Sequence, residues 1–366
     1  METEATAPAR LHAIEFHGDG GEYFRIWIVN LLLTVVTIGI YGAWAKVRRM
    51  RYFYGNTVLA GSSFEYHGEP KKILKGRLMA GALIAPYYIF QKSHPLLSAA
   101  FILLFLIALP FIVVQSRRFQ MRVSSWRNVR FGFDGSFGAA ARIYLGLGAL
   151  VPLTLGILFP YLQFSKQRFL INESRFGRTK FAFSARPGRY YAAYGSAIGW
   201  WFAGLAAVIA LVLTGIGIAA LFGAFRHTAV ALNPTNPKEF LSMTYAAIIG
   251  ILIYLGLLVT LLISGAVLTS RTTNESLNNT RLGNNQLQSK LSAKKLLRIY
   301  LVNLVLILIT LGMYSPWAKI RLLRYRLEST GVMAAGNLDE FIQTESVLPS
   351  ATGEELGDFL DVDFGF

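Results

Sequence analysis

Cysteine is absent from this 366-residue chain, which excludes a disulfide framework and any thiolate metal site. Charge is scarce. Only 15% of residues are Asp, Glu, Lys or Arg, against 54% apolar side chains, a balance that excludes an intrinsically disordered chain. Acids are scarcest of all over most of the length: residues 1–326 hold 11 of them against all 36 Lys and Arg, whereas residues 327–366 hold nine acids and no base. The opening METEATAPAR has no basic stretch before a short apolar core, so no cleavable signal peptide is expected.

What the chain has in quantity is long apolar runs. Seven are expected to sit in a membrane, each judged against the roughly 20 helical residues that a crossing takes: 26–44, 78–90, 96–115, 143–161, 190–225, 245–268 and 299–317. None contains Asp or Glu, which argues against a proton- or cation-coupled transporter. The first, from Ile26, reads as an uncleaved signal anchor. The second and third form a hairpin through Gln91–Pro95. The fifth has 36 residues without a charge, enough for two helices, and Thr214–Gly217 is the expected break because glycine loosens a helix.

Between these runs lie the bases. A net charge of +16 can signal nucleic acid, but basic loops beside apolar spans are what the positive-inside rule produces, and they attract anionic headgroups. The expected partners are therefore anionic membrane lipids, with a protein partner or a second copy of the chain also open, and no nucleic acid. Trp44, Lys46, Arg48, Arg51, Arg118, Arg168, Trp317, Lys319, Arg321 and Arg324 are the expected headgroup-level residues.

An internal repeat organises the chain. Arg25, Arg142 and Arg298 each precede an apolar run, and twelve residues later each run reaches a Thr-x-Gly: Thr37 to Gly39, Thr154 to Gly156, Thr310 to Gly312. Trp44, Tyr161 and Trp317 follow, then Arg51, Arg168 and Arg324, then the hydroxyl residues Thr57, Ser174 and Thr330. Alternating aromatic segments bound the units: Ile14–Phe16, Phe64–Tyr66, Phe131–Phe133 and Phe181–Phe183 read as short half-buried strands. A worn copy runs from Arg271 to Ser289, with Thr280 in the hydroxyl position. The expected fold class is mainly α, a polytopic helical membrane protein built of repeats near 14–68, 131–185 and 287–341, with a small cytoplasmic β element and an acidic, flexible tail over 342–366.

The run Asn30 to Tyr52, with its Thr-x-Gly-x-Tyr-x-x-Trp-x-Lys-x-Arg signature and its echo from Thr310 to Arg321, resembles the YjgN-like family. The resemblance covers most of residues 11–341. The middle copy departs from the signature at Leu158, Tyr161 and Gln163. This resemblance implies a bacterial multi-pass inner-membrane protein of uncharacterised biochemical function, and it supplies no catalytic residue.

Bases flank 143–161 and 299–317 on both sides, so a single crossing would place one cluster against the charge bias. Arg to Thr is twelve residues, about 18 Å of helix, short of about 30 Å of hydrocarbon. Two topologies follow: an ordinary crossing, or a turn at Thr-x-Gly that returns both flanks and both strands to one side.

Candidate chemistry is sparse. Glu15 and His17 share a strand face, as do Glu65 and His67. Were those two strands paired, the four side chains would suit a divalent metal. Gly215–Ala220 spells part of a dinucleotide fingerprint but follows no strand, so no cofactor is expected. Asn172, Asn274 and Asn278 spell glycosylation sites and are expected to be turn residues. His94 fits a hairpin tip and His227 an interface. The acidic tail either stays free or docks on the basic loops. The preferred function is a non-catalytic membrane component that engages lipid or a partner. A small-solute transporter or channel is the alternative, and a lipid-modifying or metal-dependent membrane enzyme the third.

Overall fold

The computed structural model describes residues 10–226, 237–336 and 338–346. One unit, a strand, two antiparallel helices and a second strand, occurs five times among the described residues. The first is β1 (Arg10–Phe16), α1 (Gly20–Val36), α2 (Gly42–Gly55) and β2 (Thr57–Leu59). The second is β3 (Ser62–Tyr66), α3 (Pro70–Phe90), α4 (Pro95–Arg122) and β4 (Ser124–Trp126). In the third, β5 (Val129–Phe133) leads to α5 (Phe137–Ala141), a π-helical turn (Arg142–Leu147), α6 (Gly148–Leu153), α7 (Phe159–Asn172) and β6 (Ser174–Phe176). The fourth is β7 (Thr179–Phe183), α8 (Pro187–Arg226), α9 (Pro237–Asn278) and β8 (Thr280–Leu282). The fifth is β9 (Asn285–Ser289), α10 (Ala293–Ile309), α11 (Ser315–Glu328) and β10 (Thr330–Ala334), and a final helix, α12 (Leu338–Ser346), follows it.

The ten strands close into one antiparallel barrel in the order β1-β10-β9-β8-β7-β6-β5-β4-β3-β2. This is more than the small β element expected from the aromatic segments. The short partner strands carry only three residues each and little alternation, so the closure was invisible in the sequence. Two strands within a unit pair, as Ile14 with Leu59 and Phe133 with Ser174 show, and units join through tight turns. At Ala60–Gly61 both central residues have positive φ, the type I′ form that matches strand twist.

Each unit is closed by the same two devices. The hydroxyl that opens its second strand donates back to a carbonyl in the last helical turn: Thr57 to Phe53, Ser124 to Gln120, Ser174 to Leu170, Thr280 to Ser276 and Thr330 to Leu327, all at 2.6–2.8 Å. Such bonds satisfy carbonyls that a helix end leaves free. The backbone also bridges strand exit to helix exit, as His17 N–H to Asn56 O (2.9 Å) and Lys290 N–H to Ser329 O (2.9 Å) show.

The lumen of the barrel is full. Ile14, Leu59, Phe64, Trp126, Val129, Phe131, Phe176, Phe181, Leu282 and Val332 form one apolar cluster with Phe341 and Ile342 of α12. Residues from strands all round the barrel meet in one cluster only by pointing inward. α12 seals the end that carries the strand turns. Glu345 there accepts from the amides of Arg178 and Thr179, and Asp339 pairs with Arg127. Helix α12 runs across the boundary expected after residue 341, and its contacts reach as far as Glu345. The acidic residues from 347 on, and His227, lie outside the described residues.

α8 runs unbroken through Thr214–Gly217, contrary to the expected pair of helices. Thr214 donates to Ala210 O (2.8 Å) along the helix. A glycine costs a helix only about 1 kcal/mol, whereas opening its backbone in an apolar setting costs several. The stretch 215–220 is thus a helix interior with no phosphate-binding loop. Asn172 and Asn278 likewise end α7 and α9 instead of occupying turns. Their side chains accept from Phe183 N–H and Ser289 N–H of the next strand, extending the ladder by one bond.

Candidate functional site: a ring of hairpins with cationic bases

All five helical hairpins leave the same end of the barrel and return to it, since the strands that flank each hairpin pair with one another. They differ in length. α3, α4, α8 and α9 provide four helices long and apolar enough to cross a membrane, over Pro70–Phe90, Pro95–Arg122, Pro187–Ile218 and Ala247–Asn278. The other three hairpins turn back at Thr-x-Gly.

That turn has one geometry in three copies. Thr37 donates its hydroxyl to Leu33 O (2.7 Å) and accepts from Tyr41 N–H (2.9 Å), so a single oxygen caps the end of one helix and the start of the next. Thr310 repeats this with Leu306 (2.6 Å) and Tyr314 (3.0 Å), and Thr154 with Leu150 (3.0 Å) and Leu158 (3.4 Å). Gly39, Gly156 and Gly312 have φ of +89°, +84° and +92°. Their amides reach carbonyls five residues back at 2.7–2.9 Å, the six-to-one bond of a Schellman cap. Between them stand Ile38, Leu155 and Leu311 with φ near +50°, a conformation unfavourable for a side chain with a Cβ.

Those three tip residues are each 93% exposed. Val36, Leu153 and Ile309 beside them are exposed too. A polar tip would suit water; an apolar tip on a helix that is apolar on its outer side needs another solvent. α1 spans about 25 Å and Arg25 to Thr37 about 18 Å, less than a bilayer's hydrocarbon.

The base of the ring holds most of the cations, and several of the expected headgroup residues have structural partners. Trp317 stacks on Phe24 of α1, centroids 4.8 Å apart, and lies over Gly20, where a Cβ would come within 2.2 Å of its ring. Arg324 donates to Gly18 O (2.7 Å). Both join the fifth unit to the first. Arg118 makes the corresponding bond from the second unit to the third, to Gly135 O (2.9 Å). Trp44 stacks on Tyr41 and packs against the core that α2 shares with the second unit. Arg321 reaches Tyr314 Oη (2.7 Å) and Asn303 Oδ1 (3.3 Å). Lys319 lies over the Phe53 ring at 5.4 Å, and burial, with Arg49 nearby, holds its ammonium below the usual lysine range. Arg48, Arg51 and Arg168 are exposed, and Lys46 is half-buried. Tyr52, which sequence reasoning passed over, ties the base of the first hairpin. Its hydroxyl accepts from Asp19 N–H (2.8 Å) and meets Glu22 Oε2 (3.1 Å). Burial, reinforced by the two carboxylates, pushes its pKa up to about 12.

The metal candidates do not converge. β1 and β3 are separated by β2, so Glu15–His17 (3.3 Å) and Glu65–His67 (3.3 Å) are two separate pairs. Among the described residues no group of three His, Asp or Glu could hold a metal ion. The second pair touches buried Ser125: His67 Nε2 is 2.7 Å from its Oγ, and that Oγ donates to Glu65 Oε2 at 3.2 Å. Hydroxyl and carboxylate approach the same imidazole nitrogen. A nucleophilic relay needs them on opposite nitrogens, so this is a hydrogen-bonded surface cluster. His94 sits at the α3–α4 connection as the residue before α4.

The fold and its apolar ring define a membrane protein, a circle of helical hairpins standing on one closed barrel. The chain belongs to the family described as bacterial protein of unknown function, DUF898, whose model matches residues 11–359. It is similar to the inner membrane protein YjgN of Escherichia coli K12, 32% identical over 154 residues, which are 40% of this chain and 37% of that protein. YjgN of Salmonella typhimurium LT2 is 32% identical over 148 residues, 40% of this chain and 38% of that one. The match thus spans less than two-fifths of these relatives' length. No solved structure matches.

Proposed function

We propose that this is a multi-pass inner-membrane protein whose barrel lies on the cytoplasmic face and whose basic girdle engages anionic lipid, without catalysis. The return of all five hairpins to one barrel end carries the reading. It eases the conflict with charge bias, because the bases on both flanks of 26–44, 143–161 and 299–317 then lie on one side, leaving Lys92, Arg226 and Lys238 at the far ends of the two crossing hairpins. Two hairpins cross fully and return; three enter partway and turn at Thr-x-Gly. The packed lumen, stoppered by α12, supports a scaffold over a conduit along the barrel axis, and so ranks the solute-channel reading second. Each base near an anionic surface contributes about 1 kcal/mol of attraction, so the girdle as a whole holds the barrel firmly to the leaflet.

The chain's lack of cysteine makes a single-cysteine test direct. Cysteines at Glu15 and Ser63, both exposed, react with an impermeant maleimide only after the cytoplasmic side is opened, whereas one at Leu311 reacts from neither side. Reaction of position 311 from outside intact cells overturns re-entry. Labelling of Glu15 and Ser63 from opposite sides overturns the single-sided barrel.

A further inference from the structure

The third hairpin carries an opening. Between its π-helical turn and α7 lies a cleft of about 630 Å³, walled by Ala139, Leu147, Tyr161 and Phe164 and bordered by Arg142 and Arg168. Alignment on Arg25 and Arg142 gives the cause. In the first hairpin the positions of Ala139 and Ala140 hold Glu22 and Tyr23; Glu22 meets the Tyr52 hydroxyl, and Tyr23 stacks on the Tyr52 ring at 5.6 Å. In the fifth hairpin they hold Lys295 and the fully buried Leu296. Of the two alanines only Ala139 lines the cleft, where its small side chain leaves room; Ala140 is fully buried against Phe133 and Phe169. The π-helical turn is found among the described residues in this hairpin alone. Such turns carry an extra residue per turn and recur at functional sites.

The cleft is graded along its length. Arg142 and Arg168 lie toward the barrel, and both are exposed with no hydrogen bond or ion pair among the described residues. Glu173, the one acid in the lining, is held by Lys180 at 3.6 Å. Five residues from Arg142 toward the tip is Leu147, and seven from Arg168 is Tyr161, some 8–10 Å of helix. Two free guanidiniums at the surface level and an apolar trough running deeper match an anionic head with acyl chains beneath it. Arginine forks suit phosphate oxygens.

We propose that this cleft binds one anionic glycerophospholipid, its phosphate on Arg142 and Arg168 and its acyl chains along Leu147 and Tyr161. The proposal rests on the hairpins lying in the membrane as described above. Native mass spectrometry tests it, using detergent-purified protein titrated with phosphatidylglycerol and, separately, phosphatidylcholine. One phosphatidylglycerol should bind in preference to phosphatidylcholine. Removing both charges in Arg142→Gln/Arg168→Gln should weaken it about 30-fold, two contacts of roughly 1 kcal/mol each. Ala139→Leu, which narrows the trough, should weaken both lipids, and the matched control Arg25→Gln/Arg51→Gln in the first hairpin, which thins the girdle without touching the cleft, should weaken phosphatidylglycerol far less. Equal binding of the two lipids, or an equal loss in the control, overturns the site. Flotation of each variant with membranes separates the failures: a protein that fails to float refutes membrane residence, while one that floats without selective lipid refutes only the cleft.

Discussion

Thr310 offers a measurement that asks which solvent surrounds a hairpin tip. Thr310→Val keeps the shape and removes one oxygen. Leu306 O then loses the hydroxyl bond at 2.6 Å but keeps the amide of Thr310 at 3.1 Å. Tyr314 N–H, whose acceptor is the Thr310 hydroxyl at 3.0 Å, is left with nothing. In water a solvent molecule would replace that partner and the loss would stay below about 1 kcal/mol. In hydrocarbon the amide is orphaned, at about 2–3 kcal/mol. Thr310→Ser restores the oxygen and should recover most of the difference. The three turns grade the effect: Thr37 should behave like Thr310, while Thr154, whose accepted bond is 3.4 Å long, should lose less. Unfolding free energies from sodium dodecyl sulfate titration in mixed micelles and in lipid nanodiscs would report these differences. A Thr310→Val protein within about 0.5 kcal/mol of Thr310→Ser in nanodiscs would refute the placement of the tip in lipid.

Two further outcomes follow from the barrel and its girdle. Glu345→Ala leaves the amides of Arg178 and Thr179 without their carboxylate, a loss of about 2–3 kcal/mol; hydrogen exchange should show α12 opening while the strands stay protected, and unchanged exchange over 338–346 would show that the carboxylate does not hold the plug. Tyr52 has a folded pKa of about 12, above the ordinary value near 10, so the folded state keeps a proton that the unfolded state gives up. Its contribution is intact below about pH 10 and is lost as pH rises toward 12; Tyr52→Phe should flatten stability across that window, and an identical alkaline profile for both proteins would remove the assignment.

The apolar runs and the repeat could be read from the residues because each is local. Twenty uncharged residues need a low-dielectric solvent wherever they end up, but a Thr-x-Gly seven residues before an aromatic left an ordinary crossing and a turn both open, and the capping geometry chose the turn. Strands whose aromatics alternate, such as Phe131–Phe133, were equally visible. Closure was not. Thr57–Leu59 and Ser124–Trp126 are too short to show a period, and what makes them strands is the neighbour that supplies their hydrogen bonds, here units as distant as β1 and β10. The same holds for function. Arg324 and Trp317 looked like headgroup residues because their type and depth suit that role, and only the ring placed Gly18 and Gly20 opposite them. Conversely, Ala139 is unremarkable in the sequence. Its meaning comes from the cleft it lines where Glu22 and Lys295 stand in the sister hairpins, a volume that exists only once both helices have been brought to the same barrel end.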